Sequence, residues 1–181
     1  MSRLRPWALP LALLAGLLTG LGFAPWSWWP CTLLGVAAFV LLVRPAHTDR
    51  PGLVGLVYGL AWFTLTISWL SVMGWWVGAL LVVVGSLWTA GLALMLRAVQ
   101  TLPWWPVWVA CSWSTMEFLS SRVPFGGFGW VRLAYTTADM PLGGLLGWIG
   151  DGGVSWAFAL VAASLAGLVT CPPRAPRRAH L

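Results

Sequence analysis

The sequence predicts an all-α integral membrane protein with about six transmembrane helices. Three observations predict it. First, 60% of its 181 residues are hydrophobic and only 8% are charged, where a soluble domain carries about 25% charged residues. A soluble fold of this length could not hide so much apolar surface. Second, apolar runs recur at close to the ~20 residues that a helix needs to cross a bilayer. Third, most of the arginines and many of the sixteen tryptophans fall at the ends of those runs.

Six runs read as spans, near residues 7–23, 27–43, 52–72, 75–96, 104–120 and 153–170. The first two are short and joined by Ala24-Pro25-Trp26. A residue before proline is pushed out of the helical region, so this junction predicts a tight helical hairpin. Arg3 and Arg5 followed by an apolar core also give the first run the shape of a signal peptide. No A-x-A-like site follows and further spans do, so the run reads as a retained helix. Glycines recur at packing spacing in Gly16 with Gly20, Gly55 with Gly59, and Gly143 with Gly147, which lets helix backbones approach closely. Residues 121–152 read as an outer loop, re-entrant or interfacial, and 172–181 as a proline-broken disordered tail.

Net charge is +6, and every basic residue is arginine. A cytoplasmic N-terminus and six spans put Arg3, Arg5, Arg44, Arg50, Arg97, Arg174, Arg177 and Arg178 inside, with only Arg122 and Arg132 outside. That asymmetry obeys the positive-inside rule. It explains the basic balance better than nucleic-acid binding, since the arginines are scattered beside apolar runs. Trp26, Trp28, Trp29, Trp69, Trp75, Trp76, Trp130 and Trp148 then mark the outer boundary, and Trp7, Trp104, Trp105 and Trp108 the inner one. Indoles favour this depth because an apolar ring carries an N–H that needs a partner.

The chain is poor in the residues of common catalytic centres. Cys31, Cys111 and Cys171 are far apart without a C-x-x-C, and His47 and His180 lack partners at ligand spacing. No metal, cofactor or disulfide framework follows from them. No serine has a neighbouring histidine, and no G-x-S-x-G or phosphate-binding glycine loop occurs. Polar chemistry gathers instead between Glu117 and Asp151. Glu117 is the one acid inside an expected span; a charge there needs a partner, and Arg122 or Arg132 is the expected one. After it come Gly127, Phe128 and Trp130 on a glycine-rich strip that can bend sharply, then Tyr135. Asp151 reads as the N-cap of the last helix. The residues expected to line a lipid or substrate portal are Glu117, Arg122, Gly127, Phe128, Trp130, Arg132 and Tyr135.

Several of these segments resemble a known family. Gly22-Phe23-Ala24-Pro25-Trp26 with Trp29-Pro30 resembles the first hairpin of bacterial apolipoprotein N-acyltransferases, and Gly59-Leu60-Ala61-Trp62-Phe63 with Ile67-Ser68-Trp69-Leu70 resembles their third span. Glu117-Phe118-Leu119, Gly127-Phe128-Gly129-Trp130, Ala134-Tyr135-Thr136 and Asp139-Met140-Pro141-Leu142 match the family's E-F-L-R-G, G-F-P-W, G-Y-S and D-x-P-L in order, and in spacing within one residue. Gly129 stands where the family has proline, and Ser120-Ser121 where it has Arg-Gly. The resemblance implies a bacterial inner-membrane protein acting on phospholipid and lipoprotein substrates. In that family a thiol takes an acyl chain from a phospholipid and passes it to the α-amino group of a lipoprotein's N-terminal cysteine. The Glu-Lys-Cys triad for this sits in a nitrilase-like domain that these 181 residues do not contain. The expectation is a truncated or split form, inactive alone, with no catalytic residue of its own and with a nitrilase-like domain acting in trans as a possible partner. The rival expectation is a non-enzymatic scaffold or small transporter. Transporters carry polar groups at the membrane midplane, whereas here they cluster at one boundary.

Overall fold

A computed structural model of the protein describes residues 5–124, 126–138 and 140–170. The expected tail at 172–181 lies outside them. Proline sets where three helices start. Its ring fixes φ near −65° and loses nothing in a first turn, where the N–H has no helical partner. Pro30, Pro51 and Pro106 stand at the first or second position of α2 (Trp29–Leu42), α3 (Pro51–Ile67) and α5 (Trp105–Ser120). The remaining helices are α1 (Ala8–Gly20), α4 (Trp75–Val99) and α6 (Leu146–Thr170). Short 3₁₀ turns occupy Ser68–Met73, Leu133–Thr137 and Pro141–Leu145. Among the described residues the repeating structure is all helical.

Among the described residues three helical stretches are long and apolar enough to cross a membrane: Pro51–Met73, Trp75–Val99 and Gly143–Thr170, with 23, 25 and 28 residues. Helices α1 and α2 are apolar but have only 13 and 14 residues. At 1.5 Å per residue they reach about 20 Å, against ~30 Å of hydrocarbon. Helix α6 starts earlier than the expected 153–170 run. Gly150, at φ 67° and ψ 178°, breaks it into a first short piece and a long one.

The helices close into a ring. Helix α1 packs on α3, α3 on α4, α4 on α5, α5 on α6, α6 on α2, and α2 back on α1. Aromatic side chains fill the middle. Phe39 stacks on Tyr58 with centroids 4.0 Å apart, and Trp113 sits 5.9 Å from Trp62 and 6.2 Å from Phe39. All four are fully buried. Offset and edge-on pairs of this kind add about 0.5–1.5 kcal/mol each beyond their burial. Hydroxyls in this core pair locally: Thr19 Oγ1 and Tyr58 Oη share a 2.8 Å hydrogen bond, and Thr32 Oγ1 donates to Thr19 O at 2.9 Å, while Trp62 Nε1 has no hydrogen-bond partner among the described residues.

Small residues let the ring close. A Cβ on Gly55 would lie 2.5 Å from Thr89 O and 2.6 Å from Ala93 Cβ, and one on Gly16 would lie 2.8 Å from Ala61 Cβ. Gly147, by contrast, faces open space. Arginine ties the end of the ring where α2, α4 and α6 finish. Arg44 donates to Thr170 Oγ1 at 2.8 Å and lies over the Trp105 ring, Arg97 donates to Thr48 O, and Gln100 Nε2 donates to Val40 O at 2.7 Å.

The α3–α4 contact sets a prediction. Gly55→Ala forces the two backbones apart and lowers stability by about 1–3 kcal/mol. Gly91→Ala, on the same contact's outer helix but with nothing within 4 Å of the new Cβ, is neutral or stabilising by up to ~1 kcal/mol through helix propensity. Denaturant unfolding in detergent, followed by tryptophan fluorescence, checks both.

Candidate lipid-facing cleft and its loop

Helix α5 ends at Ser120, and the chain must then turn back over the ring. Gly127 makes that possible: its φ is 78°, and a Cβ there would run into the Ser121–Arg122 peptide. The Phe128 N–H donates to Ser120 O at 2.8 Å, tying the returning strand to the end of α5. Glu117 makes the second tie. Its Oε1 accepts the Leu133 N–H at 2.9 Å and the Trp113 Nε1–H at 3.1 Å. A third tie reaches α6, where Ser155 Oγ accepts the Ala134 N–H at 3.0 Å.

Glu117 is only 4% exposed, so these bonds form away from water. Its hydrogen bonds run to a backbone amide and an indole, not to the expected arginines. Arg132 pairs with Asp151. Arg122 folds back on its own helix, with its guanidinium 3.6 Å from the Phe118 ring centre and donating to Phe118 O at 3.0 Å. The reason is reach: backbone ties hold residue 133 against α5, while Arg132, its neighbour, extends toward α6. Glu117 Oε2 and Arg132 Nε are both buried without a hydrogen-bond partner among the described residues. Asp151 Oδ1 also accepts the Gly152 N–H at 2.7 Å, just past the break at Gly150.

Under this strap lies a cleft of about 270 Å³ between α3, α4, α5 and the loop. Trp62 and Phe63 form one wall, Leu81, Val84 and Trp88 a second, and Met116, Gly127 and Phe128 the third side and roof. Its lining is almost wholly apolar, so it suits a hydrocarbon chain and offers nothing for ionic chemistry. Of the sequence-expected portal residues, Gly127 and Phe128 line this cleft. Glu117 and Arg132 lie behind the loop and hold it. Trp130 is exposed and stacks on Trp69, with centroids 5.6 Å apart and planes at 4°. Tyr135 is also exposed, its hydroxyl donating to Gly129 O at 3.2 Å.

The α3 and α4 walls of this cleft are not among the residues the sequence singles out. Trp62 and Phe63 stood in a segment quoted only for its family resemblance, and Trp88 sits mid-run, where an indole has no boundary to mark. Cys111 does not face the cleft; its Sγ takes the Trp156 Nε1–H at 3.4 Å.

A family model for the N-terminal domain of apolipoprotein N-acyltransferase matches residues 15–164. The chain belongs to this family. It is 32% identical over 202 residues to the apolipoprotein N-acyltransferase of Ralstonia nicotianae, covering 99% of this chain and 36% of that protein. The protein of that name from Pseudomonas aeruginosa is 30% identical over 187 residues, covering 94% and 36%. That from Pasteurella multocida is 26% identical over 181 residues, covering 93% and 34%. The chain therefore spans about a third of the length of these curated relatives, and the match lies in their N-terminal domain. Family membership and the long apolar helices make it a membrane protein.

The strap generates a prediction. Glu117→Ala leaves the Leu133 amide and the Trp113 indole without their acceptor, at about 1–3 kcal/mol each. Unfolding in detergent detects a loss of about 2–6 kcal/mol in all. Glu117→Gln keeps an acceptor oxygen and loses less than half of that. A neutral Glu117→Ala would mean that the strap does not hold the loop.

Proposed function

We propose that this chain is the membrane-embedded, lipid-holding part of a phospholipid-to-lipoprotein N-acyltransferase. The cleft of about 270 Å³ beneath the Glu117 strap carries the reading. It is apolar and roofed by Gly127 and Phe128, and Phe128 packs on Trp130, which stands exposed at the loop end of the fold. One acyl chain of the donor phospholipid fits there, with its ester raised toward that exposed end. Six membrane passes, a cytoplasmic N-terminus and a place in the bacterial inner membrane belong to the same reading. They are supported by the arginines at the opposite end and by the six-helix ring, in which the short α1–α2 hairpin completes the wall.

The chemistry itself is assigned to residues outside the 181. Acyl transfer through a thiol needs a base beside it and a group that orients the base. Among the described residues Cys31 and Cys111 have no acid or histidine as a hydrogen-bond partner. The proposed partner is a nitrilase-like catalytic domain, in the same polypeptide or supplied separately, seated over residues 121–145. Phospholipid and lipoprotein are the proposed substrates.

A phospholipid with a photoreactive group at the tip of one acyl chain tests the cleft, using the 181-residue chain in nanodiscs. Crosslinks map to Phe63, Trp88 or Phe128. Val84→Trp fills the space of several methylenes, each worth about 0.8 kcal/mol of burial, and lowers crosslinking by about tenfold. Labelling confined to the outer perimeter of the ring would contradict the reading. In a parallel assay the chain alone transfers no acyl group to a diacylglyceryl-cysteine peptide; turnover by the purified chain would overturn the division of labour.

A further inference from the structure

The ring has a second cavity that the proposed acyl transfer does not use. It is a groove of about 310 Å³ between α1 and α2, far from the Glu117 strap. Leu11, Leu14 and Leu18 line one side at i, i+3 and i+7 of α1, and Leu41 faces them from α2. Leu11 and Leu14 are 43% and 51% exposed, so the groove opens outward, away from the aromatic core. Its mouth is built differently. Trp7 and His47 meet there edge to face, with centroids 5.6 Å apart, and the Arg5 guanidinium lies 5.6 Å from the Trp7 ring centre. His47 Nδ1 donates to Leu41 O at 2.7 Å, which pins the imidazole at the mouth. Among the described residues Arg5 has no carboxylate within ion-pair distance.

Two magnitudes decide what fits. From Trp7 to Leu18 the groove runs about 16 Å along α1 at 1.5 Å per residue. That is the depth of one leaflet, half of ~30 Å. A docked helix about 10 Å across and of that length would fill on the order of 1,200 Å³, several times the groove's volume. An acyl chain fits and a helix does not. An arginine without a carboxylate partner among the described residues, where the chain would meet its headgroup, and no acid lining the groove together select for negative charge.

We propose that this groove is a structural site for one anionic phospholipid, its acyl chain between α1 and α2 and its phosphate beside Arg5 and Trp7. The site is separate from the substrate cleft. It serves α1 and α2, which are too short to span unaided and which the bound lipid would wedge into the ring from the leaflet at the arginine-rich end. An arginine near a headgroup favours an anionic lipid by about fivefold over a zwitterionic one.

Native mass spectrometry of the 181-residue chain tests this, with phosphatidylglycerol and phosphatidylcholine of identical chains added in equal amounts. The wild-type chain retains phosphatidylglycerol about fivefold more. Arg5→Gln, at an exposed residue outside any helix, brings the two lipids level without lowering phosphatidylcholine retention or the melting temperature. Leu14→Trp, which fills the groove from its lipid-facing side, reduces retention of both. Equal retention by the wild-type chain, or a preference that survives Arg5→Gln, overturns the proposal. So does a Leu14→Trp chain that melts normally and still holds lipid at the wild-type level. None of these results bears on crosslinking in the α3–α4–α5 cleft.

Discussion

Two hydrogen bonds to one carboxylate oxygen organise this protein. Glu117 stands where an apolar helix ends, and it accepts from the Trp113 indole on one side and from the Leu133 amide on the other. The first bond orients an indole that touches Phe39 and Trp62, and so reaches the aromatic centre of the ring. The second holds the returning loop over the cleft. A polar side chain in so apolar a setting is costly unless its hydrogen bonds are met inside the protein. Glu117 meets that demand at Oε1 alone, with groups from two different layers, the core and the loop roof, which couples the two.

The same economy of polar groups shapes the rest of the ring. Hydrophobic burial does little to join helices that are already surrounded by lipid, so close packing and a few internal hydrogen bonds decide which faces meet. Gly16 and Gly55 bring backbones together, and Thr19, Thr32 and Thr89 return their hydroxyls to carbonyls at the contacts. At the arginine-rich end, Arg44, Arg97 and Gln100 bind carbonyl and hydroxyl oxygens of neighbouring segments. The cleft is left where α3 and α4 diverge from α5 and a loop, rather than another helix, covers the gap. Its walls are therefore helical on two sides, and its roof rests on a few bonds at the end of α5.

Composition and run length made the helices legible, because the bilayer permits few alternatives once 60% of the residues are hydrophobic. Charge asymmetry and motif order made the family legible. The partners of the polar residues were not. Glu117 is bound by a backbone N–H, and backbone donors carry no mark in a sequence. Arg132 meets an acid 19 positions away, across a loop whose path depends on Gly127. Trp130 stacks on Trp69 at the surface, a pairing set by where the 3₁₀ turn after α3 leaves its indole and not visible in the sequence. The start of α6 escapes the sequence because residues 121–152 read as an outer loop, whereas only Gly150 adopts a non-helical conformation within that helix.

Amide hydrogen exchange at Leu133 tests the Glu117 account most directly, measured residue by residue on the chain in nanodiscs. The account requires slow exchange at Leu133 and Ala134, matching the α5 core, and exchange at Leu133 accelerated at least tenfold in a chain carrying Glu117→Ala, about 1.4 kcal/mol of lost protection. Exchange at Leu133 as fast as at the exposed loop residues of the wild-type protein would show that the carboxylate does not hold the loop, and that the cleft has no fixed roof.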